Sequence, residues 1–210
     1  MSYLRLKEKL RRVGGATLTN VVLVVIDDAN LRLGSGPDAY QIDAILGYPV
    51  FKALGIITFR RDEFLAGDGA AGNGRDTRMY MRGLGPVIEC DVEGRPLLFT
   101  FDSGASSTDL SVRYYELFRA QAGSWKTQNF ESAGVGGSIR QTEYIQPHVA
   151  MKVGTSTVTL KDVSIFPVRM NTAIDLLFGN LGQDFVDSVE SVSLNFSTMT
   201  FSIGAARNDR

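Results

Sequence analysis

The sequence predicts an all-β protein with one or two short helices, on three observations. Its apolar runs are short, rich in β-branched and aromatic residues, and bounded by Gly, Asn, Asp or Ser. Helical periodicity shows in only two places. The same order of apolar segments and turn residues occurs twice along the chain.

Strands are expected at residues 21–26, 87–92, 97–101, 145–153, 158–160, 163–168 and 192–196, a spacing that suits hairpins in a sandwich or barrel. One helix is expected after Gly47, over residues 48–54. The other spans 112–119, where Ser111 can cap the first turn and Tyr115 and Phe118 share a face. Residues 66–85 are crowded with Gly and Ala, carry charge and lack any apolar period, so they read as a linker or long exposed connection.

The repeat organises the rest. Val13-Gly14 and then Leu18-Thr-Asn-Val21 match Val153-Gly154 and then Leu160-Lys-Asp-Val163. Leu46-Gly47, a short amphipathic stretch and a strand ending at Phe59 match Leu181-Gly182, a similar stretch and a strand ending at Phe196. The copies lie 135 to 142 positions apart. The expected organisation is therefore the back half of a first lobe at 1–65, the linker at 66–85, a complete lobe at 86–204 and a tail at 205–210. On this reading the front half of the first copy belongs ahead of Met1.

Composition excludes several classes of function. With 22 Lys+Arg against 23 Asp+Glu the formal charge is −1, which supplies no field to gather nucleic acid or an anionic membrane. Cys90 is the single cysteine and His148 the single histidine, too few for an internal disulfide or a structural zinc site. The longest apolar run, Val21 to Ile26, falls far short of the roughly 20 residues that span a bilayer. The basic N-terminus is not followed by the apolar stretch of a signal peptide, and the compartment stays open. Gly134 to Ser138 lacks the Gly-Lys-(Ser/Thr) of a phosphate loop and reads as a hairpin tip; neither a metal nor a cofactor is expected.

Chemistry concentrates at Leu97 to Ser107, LLFTFDSGASS, where an apolar strand stops at Asp102. A carboxylate ending a buried strand is costly unless hydrogen bonds or a paired charge hold it. Gly104 gives the freedom for a tight turn beneath it, and Ser103 can hydrogen-bond locally. The plain alternative is a strand-to-turn junction, since Asp, Ser and Gly are common turn residues.

The segment LLFTFDSGASSTDLS, the Gly134-Val-Gly-Gly137 hairpin and the later LLFGNLGQDFVDSVESVSLNF together resemble the pepsin/retropepsin family of aspartic peptidases. The resemblance covers 86–204 as one lobe, and AILGYPVFKALGIITF resembles the back half of a preceding lobe, as in bacterial-type two-lobed aspartyl proteases. It implies an acid-protease barrel lobe plus an incomplete second lobe, and an aspartic endopeptidase or its C-terminal portion. Asp102 is then catalytic, Ser103 and Gly104 shape its loop, and Asn180-Leu181-Gly182 braces that loop, with Leu177-Phe178-Gly179 as the alternative brace. Gly136 and Gly137 would face a peptide or protein substrate. Two aspartates sharing one proton would activate water, and the chain has no second Asp-(Ser/Thr)-Gly, so a missing N-terminal lobe or a second copy of the chain must supply the other. A noncatalytic peptide-binding domain that keeps the fold is the competing reading.

The remaining candidates read as structural. His148 and Cys90 come with no Gly-x-Ser-x-Gly elbow, and nothing in their spacing brings them together. Arg5, Lys7, Lys9, Arg11 and Arg12 read as a solvated strand face, Trp125 and Tyr144 as core or cleft lining. The sequon at Asn195 falls inside an expected buried strand.

Overall fold

The computed structural model describes residues 2–5, 10–13, 15–18, 22–28, 31–33, 39–61, 63–67, 77–83, 85–134, 137–169 and 173–207. These fall into two compact units. The first takes in residues 1–54 and 129–141, the second 55–128 and 142–210.

The first unit is built from short antiparallel pairs. Its strands are β1 (Ser2–Arg5), β2 (Leu10–Val13), β3 (Ala16–Leu18), β4 (Val22–Val25), β5 (Arg32–Leu33) and β6 (Tyr40–Gln41). β1 pairs with β4, β2 with β3, and β5 with β6. Helix α1 (Tyr48–Leu54) starts where the sequence places it, with the Gly47 carbonyl accepting the Val50 N–H at 3.0 Å. Pro49 sits in its first turn, where no amide hydrogen is needed.

The second unit holds β7 (Ile56–Arg60), β8 (Glu63–Ala66), β9 (Thr77–Arg82), β10 (Gly85–Val92), β11 (Arg95–Phe101) and β12 (Asp109–Leu110). After helix α2 (Val112–Phe118) come β13 (Lys126–Gly134) and β14 (Gly137–Val153), of which residues 129–141 count with the first unit, and then β15 (Ser156–Ile165) and β16 (Gly179–Leu181). Helix α3 (Gln183–Asp187), β17 (Val192–Asn195) and β18 (Thr200–Ile203) complete it. The strands β14, β15, β12, β16, β11 and β10 lie side by side in that order, and Asp91 opposite Lys152 joins β10 back to β14. The sheet therefore closes on itself as a barrel and leaves no edge around the ring. From β10 it continues outward through β9, β18, β17, β7 and β8.

Alternation at period two explains the core. β11 buries Leu97, Phe99 and Phe101, while β10 turns Ile88, Cys90 and Val92 inward. The hairpin between them is a two-residue turn, Glu93 and Gly94 both at positive φ (53° and 78°), the arrangement that matches the strands' twist. Phe101, Phe201 and Phe185 run through the interior as a chain of rings 5.4 and 6.3 Å apart. Ser111 caps α2 by accepting the Arg113 N–H at 3.1 Å, and buried Tyr114 donates its hydroxyl to Gln146 Oε1.

The all-β fold class is as the sequence predicts, and several elements differ from expectation. β15 runs as one strand from Ser156 to Ile165 where the sequence suggests two, 158–160 and 163–168, with Asp162 at φ 50° and one register on both sides of it, Gln146 opposite Val163 and His148 opposite Lys161. α3 is a third helix, only five residues long, too short to show a helical period. β9 lies inside the stretch read as a linker, because Met79 is buried where the strand pairs with β10 and β18. The hairpin β7–β8 belongs to the second unit, with β7 paired to β17 along Ile56 to Phe59 and buried Thr58 Oγ1 2.7 Å from Ser193 Oγ. Asn195 ends β17 half-buried, and its Oδ1 accepts the Ser197 and Thr198 N–H groups of the following turn.

Phe201→Ala removes the middle ring of the interior chain, and we expect it to destabilise the protein by about 3–5 kcal/mol, read as a lowered urea midpoint at unchanged m-value.

Candidate active site

Asp102 is the first residue past β11, and its backbone is held by the strand beside it. β16 runs parallel to β11, Thr100 opposite Asn180 and Phe101 opposite Leu181. The register carries on beyond the strands: the Asp102 N–H donates to the Leu181 carbonyl at 2.9 Å. Gly104 N–H donates to Asp102 Oδ1 at 2.9 Å, and Ala105 N–H to the Asp102 carbonyl at 3.1 Å, so the turn is an Asx-type turn around the carboxylate. The side chain itself is exposed. The turn presents an acceptor to solvent on a backbone fixed at both ends.

The other flank of β16 is gripped as tightly. β12 pairs antiparallel to it, Asp109 opposite Asn180 and Leu110 opposite Gly179. A Cβ on Gly182 would collide with the Ser107 carbonyl and lie 3.0 Å from the Ala105 oxygen; one on Gly179 would collide with the Asp109 carbonyl. Gln183 N–H donates to the Ala105 carbonyl at 2.8 Å. Thr108 completes the junction: its hydroxyl accepts the Gly182 N–H at 3.1 Å and donates to Asp184 Oδ1 at 2.7 Å. Asp184 Oδ1 also accepts the Phe185 N–H at 2.8 Å.

Of the residues singled out in the sequence, Asp102, Ser103, Gly104, Leu181 and Gly182 thus lie in one junction. Leu177 and Phe178 contribute too, their carbonyls accepting the Ser111 hydroxyl and amide, so both candidate brace triplets are parts of one threaded segment. Gly137 opens β14, while Gly136 lies outside the described residues. Arg5 lies on β1, Arg11 and Arg12 on β2; Lys7 and Lys9 fall outside the described residues. Burial pushes the Cys90 thiol far above its ordinary range, with Glu89 adding to the effect, which leaves it neutral and unreactive. His148 is exposed on β14, opposite Lys161. Tyr144 stacks on Tyr115 of α2 at 5.4 Å and meets the edge of Trp125 at 5.9 Å.

Sequence reasoning missed Thr108, Asp109, Glu143 and Asp184. Asp109 sits on β12, seven residues past Asp102, and its carboxyl is pushed up to about 7, first by burial and then by the nearby carboxylates of Glu143 and Asp184. Its Oδ1 and the Oε2 of fully buried Glu143 have no hydrogen-bond donor among the described residues, while Glu143 Oε1 accepts from Gln128 Nε2 at 2.6 Å. Only the Asp184 position carried a signal, an acidic residue entering a helix just after the bracing glycine.

No family model and no curated protein matches the chain. Among solved structures, it is similar to a retropepsin-like aspartic protease from Rickettsia conorii, at 11% sequence identity and a TM-score of 0.42, over 65% of this chain and 98% of that one.

Two outcomes follow from the junction. Gly182→Ala forces a methyl group into the Ser107 carbonyl, and we expect a loss of about 1–3 kcal/mol, with slowed amide exchange lost across residues 102–108. Asp109 binds its proton more tightly folded (about 7) than unfolded (about 3.9), so its contribution to stability is complete below pH 4. That contribution drains away as the pH rises to about 7 and is constant above. Asp109→Asn should flatten that fall and unfold at higher urea than the parent at pH 8; an unchanged pH profile would assign the fall to other groups.

Proposed function

We propose that the chain is an aspartic endopeptidase, or the portion of one that carries Asp102 as one of two catalytic carboxylates. The observation that supports this most is the junction itself: an exposed carboxylate on a turn whose backbone is bonded to a threaded strand on one side and closed by Gly104 on the other. A general base must be accessible to water and held at a fixed height, and those are the two properties the junction combines.

In this reading the reaction needs two carboxyls and one proton. The ionised carboxylate takes a proton from a water whose oxygen bonds to the peptide carbonyl carbon, while the protonated partner gives its proton to the carbonyl oxygen. The resulting gem-diol collapses: the first carboxyl gives its proton to the nitrogen, the C–N bond breaks, and one hydroxyl proton passes to the partner carboxylate, leaving a carboxylic acid, an amine and the original protonation of the pair. Asp102 supplies one member. The second comes from a partner lobe or from Asp102 of another copy. Ser103 and Gly104 keep the loop in shape, Leu181 and Gly182 brace it from below, and Gly137 at the start of β14, with Gly136 before it in the sequence, would face an extended peptide substrate.

The reading is tested by incubating the protein with a peptide pool between pH 4 and pH 8 and identifying internal cleavages by mass spectrometry, at rising protein concentration. Cleavage that Asp102→Asn lowers by at least about a hundred-fold supports it. A rate rising with the square of protein concentration identifies the second carboxylate as that of another copy. Cleavage undiminished by Asp102→Asn overturns the reading.

A further inference from the structure

The sheet face beside the Asp102 turn carries more negative charge than the chain supplies donors for. Thr100, Asn180, Asp109 and Ser164 stand opposite one another across β11, β16, β12 and β15, so they share one face. Ile145 continues the row on β14, and Glu143 lies one same-face step before it. Asp102, two residues past Thr100 with its amide carrying the register one step further, belongs to that face as well. The opposite face, with Phe99, Phe101, Leu181 and Leu110, is core.

Nearby protons are already committed. The Thr100 hydroxyl donates to Asn180 Oδ1 at 2.6 Å, and the Thr108 hydroxyl to Asp184 Oδ1 at 2.7 Å. Gln128 gives Glu143 Oε1 a donor, while Glu143, 0% exposed, keeps Oε2 without one among the described residues. Half-buried Asp109 likewise lacks a donor at Oδ1. The charged groups that bear on Asp109 among the described residues are both acids, Glu143 from β14 and Asp184 from α3, and β15 and β16 set only Ser164 and Asn180 beside it. The three acids do not converge as metal ligands among the described residues. What this face lacks is a positive charge that brings its own donors, as an ammonium or guanidinium does.

We infer that Asp109, with Glu143 behind it, is the recognition group for a basic side chain, lysine or arginine, of a peptide laid across the face that carries Asp102. Asp109 stands two strands and two residues from Asp102, about 12 Å between backbones, within reach of a basic side chain two or three residues from the bond over Asp102. Asp109 is the accessible member of the pair; Glu143, wholly buried, adds field rather than contact. A proton and a cation compete for the same charge, so recognition strengthens as the pH rises through about 7. The inference deepens the peptidase reading and rests on it for the path of the peptide past Asp102.

The probe is a rhodamine-labelled octapeptide, Ala-Val-Ala-Phe-Phe-Ala-Val-Ala with blocked ends, made as pairs that place one lysine or one norleucine at each position in turn. Binding to the full 210-residue protein is followed by fluorescence anisotropy at pH 5.5 and pH 8, and the recovered peptide is checked for cuts by mass spectrometry. At pH 8 one position should favour lysine over norleucine by about tenfold, and at pH 5.5 by no more than about twofold. Asp109→Asn should bring the pH 8 ratio down to about twofold or less while its urea transition shows a folded protein, and Glu143→Gln should lower that ratio about threefold. Equal affinities at every position, no binding of either peptide, or a preference that ignores pH or survives Asp109→Asn overturns the inference and leaves the two acids to share a proton. A peptide held with this preference but recovered uncut supports the inference and leaves the peptidase reading without its cleavage. A peptide cut with no preference at any position does the reverse.

Discussion

The second unit depends on one backbone passing between two others. Residues 177–183 thread between β11 and β12, bonded in parallel to one and antiparallel to the other, and continue by one hydrogen bond from Asp102 and two from Ser111. Polypeptide can approach polypeptide this closely only where side chains are missing, which is why the segment has glycine at both 179 and 182. Every other feature of the site follows from that thread. It closes the barrel through β16, it fixes the height of the Asp102 turn, and it delivers Asp184 to Thr108 at the start of α3.

The thread also sorts carboxylates by environment. Asp102 emerges at the end of β11, where water reaches its oxygens and the Gly104 amide holds one of them. Seven residues later Asp109 is part of the sheet, short of donors, and in the field of two further acids, so it keeps its proton toward neutral pH. The two residues are chemically identical and separated by one turn. Strand position alone makes one an accessible acceptor and the other a buried acid that resists ionisation.

Comparing the two copies of the repeat separates what a sequence unit encodes from what its surroundings supply. Both copies make a Leu-Gly step into a short helix and then a strand with a hairpin, because caps, apolar spacing and turn residues are local properties. The β2–β3 turn after Val13 and the β14–β15 turn after Val153 agree in the same way. Burial is not local. Leu181 is buried between β11 and β12, whereas Leu46 is exposed among the described residues.

Much of the fold was legible. Helix α1 and the cap and start of α2 fall where the apolar period and Ser111 place them, the strands β10, β11, β14 and β17 match the β-branched runs, and the repeat was visible as an offset of matched residues. Asp102 and Gly104 stood out where an apolar run ends abruptly, Leu181 and Gly182 as a Leu-Gly step that the repeat shares, and their joint role as turn and brace came from the resemblance. Element types, turn chemistry and the carboxylate that closes a strand are set by neighbours along the chain, and so they could be read from it. The long-range contacts settle that β9 and the β7–β8 hairpin join the second unit, that Thr108 and Asp184 lock the turn, and that Asp109 is a buried acid. Those outcomes depend on backbones and charges that lie far apart in sequence and meet only when the sheet closes.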